Sequence, residues 1–277
     1  MLSSGVLTDV LRYLRCPVCA GTLTVTNAGA VGCPRGHSFD IARHGYLHLS
    51  VGRPSHPGDS AQMVADRQAW LDTGGYDFLT EALIATVGPA HGLIVDVGAG
   101  TGHHLAAVLD ALPDTVGLAV DVSKPALRRA ARAHPRIGAV FADTWRRLPV
   151  ADGSAAAILD VFAPRNGAEF RRVLRPDGVL VVVTPTAAHL AELVARLRLV
   201  RVDPDKTDRV AATLTPWFRL ESERVHTRLL HLTRRQAGLL IGMGPSARHL
   251  DPAALVADLP EPFPVTAAVR VARYRPA

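Results

Sequence analysis

The segment Ile94-Val95-Asp96-Val97-Gly98-Ala99-Gly100-Thr101-Gly102-His103-His104 opens as an apolar run and admits one acid. It then places glycine at every second position before a helical pattern begins. Glycine is needed where a chain turns sharply and where a ligand must approach the main chain. In an open parallel sheet such a turn lies at the carboxyl ends of the strands, where ligands bind. Downstream, Leu93–Val97, Val116–Val122, Ile137–Ala142, Ala155–Phe162 and Val179–Thr184 read as strands, and Leu105–Leu112, Pro125–Ala133 and His189–Leu199 as helices. That alternation predicts an α/β fold with a mostly parallel sheet covered on both faces. Leu220–Leu232 and Val265–Tyr274 are expected to complete the sheet as partly antiparallel strands around a helix near Arg234–Ile241.

Charge at the glycine turn selects among ligands. A dinucleotide fingerprint spaces its glycines G-x-G-x-x-G, whereas here the third glycine comes one residue early and His103 takes the final position. A pyrophosphate favours helix-end N–H groups, and a carboxylate at Asp96 would repel it. S-adenosylmethionine carries a sulfonium and an ammonium, both of which a partly buried carboxylate attracts. Asp96, Gly98, Gly100, Thr101 and Gly102 are therefore expected to form a methyl-donor site. Asp121 ends the second strand, where a ribose diol needs a two-oxygen acceptor; a helix N-cap is the other reading, with Ser123 as the competing cap. Asp143 ends the third strand, where an adenine amino group can be read.

A second signal lies upstream. Cys16-Pro17-Val18-Cys19 is followed, after thirteen residues, by Cys33-Pro34-Arg35-Gly36-His37. A Cys-x-x-Cys pair sets two thiolates on one tight turn, and the second pair completes a tetrahedron for zinc, leaving no open coordination position. All three cysteines of the chain fall here, which argues against a disulfide framework. The module holds few large apolar residues, so metal supplies much of its folding free energy. Residues 1–58 carry five arginines against Asp9 and Asp40, a plausible phosphate-facing surface.

The 277 residues leave room for one small and one large unit. The expected organisation is a zinc-binding RNA-recognition module over 1–50, a linker and helical connection over 51–91 that Gly74 and Gly75 interrupt, and a donor-binding domain over 92–277. The net charge of +6 permits a polyanionic partner and equally fits a solvated basic surface. No apolar run is long enough to span a bilayer, and the first residues show no signal pattern; a cytoplasmic protein without membrane contact is expected.

Both motifs, with the text between them, resemble the bacterial 23S rRNA guanine-N1-methyltransferases. The likeness runs through Cys16–Tyr46 and Pro57–Tyr76, with its P-G-D-S-A-x-M-V-x-x-R pattern, then Val95–Gly102, Asp121–Lys124, Phe162-Ala163-Pro164, Thr184-Pro185 and His189-Leu190. It implies a Rossmann-like class I methyltransferase domain with zinc held by Cys16, Cys19, Cys33 and His37. It also implies a donor site that includes Tyr76, Gly100, Thr101 and His189, with Asp121 on the ribose. The substrate implied is a guanine in a hairpin loop of domain II of 23S rRNA, and the assembly implied is a homodimer. Phe162-Ala163-Pro164-Arg165-Asn166 and Met243-Gly244-Pro245-Ser246 look most like the Gram-positive branch, some of whose members protect producers of tylosin- or mycinamicin-type macrolides.

Guanine N1 must lose a proton, and Asp160 and His189 are the candidates to accept it. Two rivals remain at this stage. A small-molecule methyltransferase would have no need of the zinc module, and a zinc-dependent RNA-binding protein with a vestigial site would bind no donor.

Overall fold

The computed structural model describes residues 9–26, 29–197, 199, 212–244, 247 and 251–277. Eight strands form its main sheet. The central one, β5 (Gly92–Val97), is apolar on both sides because both of its faces are covered. Side chains alternate along it: Leu93, Val95 and Val97 enter one hydrophobic core, and Ile94 enters the other. Asp96 shares the face of Ile94.

On one side of β5 lie β6 (Thr115–Asp121), β7 (Ile137–Phe141) and β4 (Tyr46–His48); on the other lie β8 (Ala155–Val161), β9 (Leu174–Pro185), β11 (Phe263–Pro276) and β10 (Phe218–Leu232). Pairing is parallel from β4 to β9 and antiparallel at β11. The expected α/β architecture is therefore present, with its last two strands closing the sheet as foreseen. The strand order reverses between β5 and β8, and such a switch point opens a crevice at the carboxyl ends.

Helices complete both layers. The pattern over 62–87 resolves into α1 (Ala61–Leu71) and α2 (Asp77–Val87). Gly75 separates them for a steric reason, since a Cβ there would lie 2.3 Å from the Trp70 ring. α3 (His103–Ala111) follows the glycine turn, and α4 (Lys124–Ala133) is capped by Ser123, whose hydroxyl accepts from the Ala126 N–H at 3.3 Å. α5 (Gly167–Val173) joins β8 to β9, α6 (Ala191–Leu197) follows β9, and α7 (Arg234–Gly242) with α8 (Pro252–Val256) fills the crossing between β10 and β11. Of the helical and motif residues expected from sequence, Arg198, Pro245 and Ser246 lie outside the described set. No helix among the described residues is long and apolar enough to cross a membrane.

The N-terminal residues build a three-stranded antiparallel sheet from β1 (Thr24–Val25), β2 (Val31–Gly32) and β3 (Ser38–Phe39). The chain then lends β4 to the main sheet. Tyr46, Leu47 and His48 pair with Ala139, Val140 and Phe141 of β7, and the His48 ring stacks on Phe141 at 4.5 Å. Leu14 bridges to Val150, and Val10 packs so close to β7 that Gly138 has no room for a Cβ, which would meet it at 2.6 Å. Sequence reading did not anticipate this strand, because three residues beside a glycine carry no period.

Candidate active site and metal centre

Gly98, Gly100 and Gly102 all take left-handed backbone conformations, with φ of +66°, +55° and +77°. A Cβ at Gly98 would lie 2.7 Å from the Ala163 Cβ, and one at Gly102 would lie 3.0 Å from the Ala130 Cα. The turn is thus pressed between the loop after β8 and helix α4, which is why glycine stands there. Above it opens a cavity of about 750 Å³, a size ordinary for small-molecule sites. Asp96, Gly98, Gly100, Thr101, Asp121, Tyr76 and His189 all line it. Gly102, Asp143 and Asp160 are not on its wall.

Two acids dominate the electrostatics. Burial pushes the Asp96 carboxyl well above the usual range, and the carboxylates of Asp121 and Asp160 add to the rise. Burial also raises Asp121, although the Ser123 and Gly100 N–H groups donate to its carboxylate at 2.7 and 2.9 Å and oppose the rise. Ser123 takes the cap, so Asp121 is released to tie the glycine turn to its own strand end. A cation beside these acids would relieve both the repulsion and the desolvation. The Thr101 hydroxyl is buried and makes no hydrogen bond among the described residues. Such a group costs about 1–3 kcal/mol when left unpaired, so it marks a place for a ligand atom. Acids, orphaned hydroxyl and bare glycine backbone together fit a cationic donor with a ribose.

Tyr76, the residue before α2, reaches across the cavity to His189, with Oη and Nε2 3.3 Å apart. The other ring nitrogen, Nδ1, accepts from the Ala268 N–H at 3.1 Å. Burial lowers the His189 pKa to about 4 despite that backbone contact and pushes the Tyr76 phenol up. Both groups are neutral at physiological pH.

Asp160 is fully buried under the loop after β8, where Arg165 lies 3.7 Å from it. Asp143 is engaged by the linker. Its Oδ2 accepts from the Ser55 N–H at 2.7 Å and the Ser55 hydroxyl at 2.8 Å, and its Oδ1 from the Trp145 N–H at 3.0 Å. Burial would raise its pKa, but these bonds hold it below the usual carboxylate range.

Sequence reading missed the linker's part in this wall. His56, Pro57, Gly58 and Asp59 line the cavity. The Ser123 hydroxyl donates to the Asp59 carbonyl at 2.8 Å, and Arg67 pairs with the Asp59 carboxylate at 2.6 Å while donating to the Met243 carbonyl at 3.0 Å. Asp59 and Arg67 both stand within the quoted P-G-D-S-A-x-M-V-x-x-R pattern, the one signal that could have found them. His104 was also missed: it lines the cavity, its Nδ1 lies 2.9 Å from the Thr80 hydroxyl, and burial lowers its pKa to about 3.

Away from the cavity, Cys16, Cys19, Cys33 and His37 bring their ligand atoms within 4.8 Å of one another. Cys19 Sγ and Cys33 Sγ are 3.6 Å apart, and His37 Nδ1 lies 3.3 Å from Cys33 Sγ and 3.6 Å from Cys16 Sγ. Bonds of about 2.3 Å to sulfur and about 2.0 Å to nitrogen give tetrahedral edges of about 3.5–3.8 Å, so the set fits zinc. At Cys33, burial opposes ionisation, but N–H groups of His37 and Arg35 and the His37 side chain overcome it and hold the thiol at about 6.

Comparison with known proteins agrees with both halves. Residues 14–50 match the family model described as RlmA, N-terminal, a zinc ribbon, and residues 94–178 match a methyltransferase domain. A solved type II methyltransferase from Anaeromyxobacter dehalogenans superposes with a TM-score of 0.51 at 21% identity over 81% of this chain and 98% of that one, a likeness of fold alone. Fold and site thus define a methyltransferase with an N-terminal zinc ribbon.

The chain is 57% identical, over 97% of its length and 99% of the relative's, to a protein of Micromonospora griseorubida that carries the name "Putative 23S rRNA (guanine-N(1)-)-methyltransferase". It is 48% identical, over 97% and 98%, to the 23S rRNA (guanine(748)-N(1))-methyltransferase of Streptomyces fradiae. The chain belongs to this family of 23S rRNA guanine-N1-methyltransferases, and its cofactors are S-adenosylmethionine and zinc.

Proposed function

We propose that this protein methylates N1 of a guanine in a domain II hairpin loop of 23S rRNA, and that the modification protects ribosomes from tylosin- or mycinamicin-type macrolides. One observation carries the reading: the zinc ribbon and the acid-lined cavity occur together in a chain that matches two proteins named for 23S rRNA guanine-N1 methylation over 97% of its length.

S-adenosylmethionine, when bound, would supply an electrophilic methyl group to N1 and leave as neutral S-adenosylhomocysteine, with the N1 proton passing to solvent water. The chain's residues supply binding and alignment, the main demand of a displacement with a good leaving group. Asp121 accepts from the ribose hydroxyls, Asp96 offsets the donor's positive charge, and Thr101 with the glycine backbone fixes its amino-acid end. Tyr76 and His189 line the same cavity as the glycine turn. We assign His189 to positioning, because its Nδ1 is occupied by the Ala268 N–H and its Nε2 carries the remaining proton toward Tyr76. Asp160 braces Arg165 and the loop after β8. We further propose a cytoplasmic homodimer, for which the exposed outer strand β10 offers an edge.

The test is methyl incorporation into purified 23S rRNA, followed by mapping of the reverse-transcription stop. Label confined to a small molecule, or absent from RNA, would overturn the assignment. Expression in a macrolide-sensitive host tests the protective role separately.

A further inference from the structure

Phe162 combines three properties found together at no other described residue. It lines the cavity, its side chain is 41% exposed, and its backbone is left-handed at φ +56°. A bulky residue is an outlier in that region of backbone space. The next residue, Ala163, packs against the glycine turn, since a Cβ at Gly98 would lie 2.7 Å from the Ala163 Cβ. The Phe162 ring centroid lies 6.0 Å from the His189 imidazole.

A second exposed aromatic stands on the adjoining loop, and the two loops together form a ledge. Trp145 is 53% exposed and follows Thr144, which lines the cavity. Its backbone N–H is held by Asp143. The Asn166 amide donates to the Thr144 carbonyl at 3.1 Å and the Arg146 carbonyl at 3.4 Å, so the loops that carry Phe162 and Trp145 are fastened to each other. Arginines flank the ledge. Arg146 donates to the Val51 and Arg53 carbonyls, whereas Arg147 makes a solvent-exposed pair with Asp152 at 3.5 Å. Exposed pairs of that kind are weak, so the Arg147 guanidinium can turn to a phosphate.

We infer that Phe162 and Trp145 form a stacking platform for unpaired RNA bases, with Phe162 under the target guanine and Trp145 under a neighbouring base. The inference rests on the rRNA reading above and names its recognition surface. Aromatic faces beside an exposed guanidinium are how single-stranded RNA is gripped.

The test measures binding of the full-length, zinc-loaded protein to a transcript of the domain II hairpin, and separately to S-adenosylmethionine. Phe162→Ala and Trp145→Ala are each expected to weaken transcript binding about tenfold or more, the loss of one base stack. Donor affinity stays within about twofold, which also reports that the variants are folded. Phe162→Tyr and Trp145→Phe restore most of the binding. With an abasic residue at the target position, Phe162→Ala loses its effect. Equal losses of donor and transcript affinity, or an undiminished effect on the abasic transcript, would overturn the platform. If the wild type methylates rRNA while both alanine variants bind it normally, the platform alone fails. If the wild type binds the transcript and transfers no methyl group, the proposed activity alone fails.

Discussion

His189 Nε2 stands 3.3 Å from the Tyr76 hydroxyl while its Nδ1 takes the Ala268 N–H, so the imidazole has no free lone pair to offer a substrate. His189→Gln is therefore expected to raise the KM for the donor about tenfold, roughly one charge-free hydrogen bond, and to leave the pH dependence of kcat unchanged between pH 6 and 8. An ascending limb that disappears in the variant would instead make His189 the base.

Asp96 carries a cost in the ligand-free protein. Its carboxyl is raised in the fold, so the unfolded chain ionises it first. The penalty grows as pH rises from the unfolded value toward the folded one, and it is fully present above both. Asp96→Asn should stabilise the ligand-free protein at pH 8 by about 1 kcal/mol or more and weaken donor binding at least tenfold. Thermal melts with and without donor read both effects; a variant that is destabilised without ligand contradicts the assignment.

The buried histidines set the acid limit. His104 and His189 are held near 3 and 4, below the ordinary value of about 6.5. Between pH 6.5 and those values the unfolded chain holds protons that the folded chain refuses, so stability falls as pH drops through the window. Replacing His104 by Leu should shrink the loss between pH 7 and 4 by on the order of 2 kcal/mol. Urea unfolding at the two pH values measures it, and an unchanged difference would show that His104 is not the group responsible.

Asp121 ends β6 and Asp143 lies two residues past the end of the neighbouring β7, yet only Asp121 lines the cavity. Asp121→Asn should cost the donor at least tenfold in affinity, and Asp143→Asn less than about threefold, of the order of one exposed polar contact. The second substitution should instead speed hydrogen exchange at the Ser55 amide, which Asp143 now holds at 2.7 Å. Equal calorimetric losses in both variants would return Asp143 to the donor site.

Zinc content should be one ion per chain. Cys33→Ser, or a thiol-competing chelator, should lower the melting temperature by about 5–10 °C, since a few kcal/mol in a domain of this size shifts it by that much. An unchanged melt after metal is lost would mean that the ribbon folds without it.

The glycine turn made the sheet and its ligand edge legible, because glycine spacing and strand alternation are local properties. The four metal ligands were legible for the same reason. The bond from the Ser55 N–H to Asp143 was not legible, because Ser55 lies in a linker far away in sequence. Phe162 looked like the end of a strand, and nothing local announces a left-handed aromatic. The clasp between Asp59 and Arg67 depends on where α1 docks, which tertiary packing alone determines.

The borrowed strand β4 ties the N-terminal segment and the catalytic sheet into one folding unit. Without it, the catalytic half would present the bare edge of β7, and unpaired edges invite aggregation. The N-terminal segment is thereby an edge guard as well as a metal site, and cutting the chain between the ribbon and the methyltransferase domain would have to leave β4 with the latter to keep that edge covered.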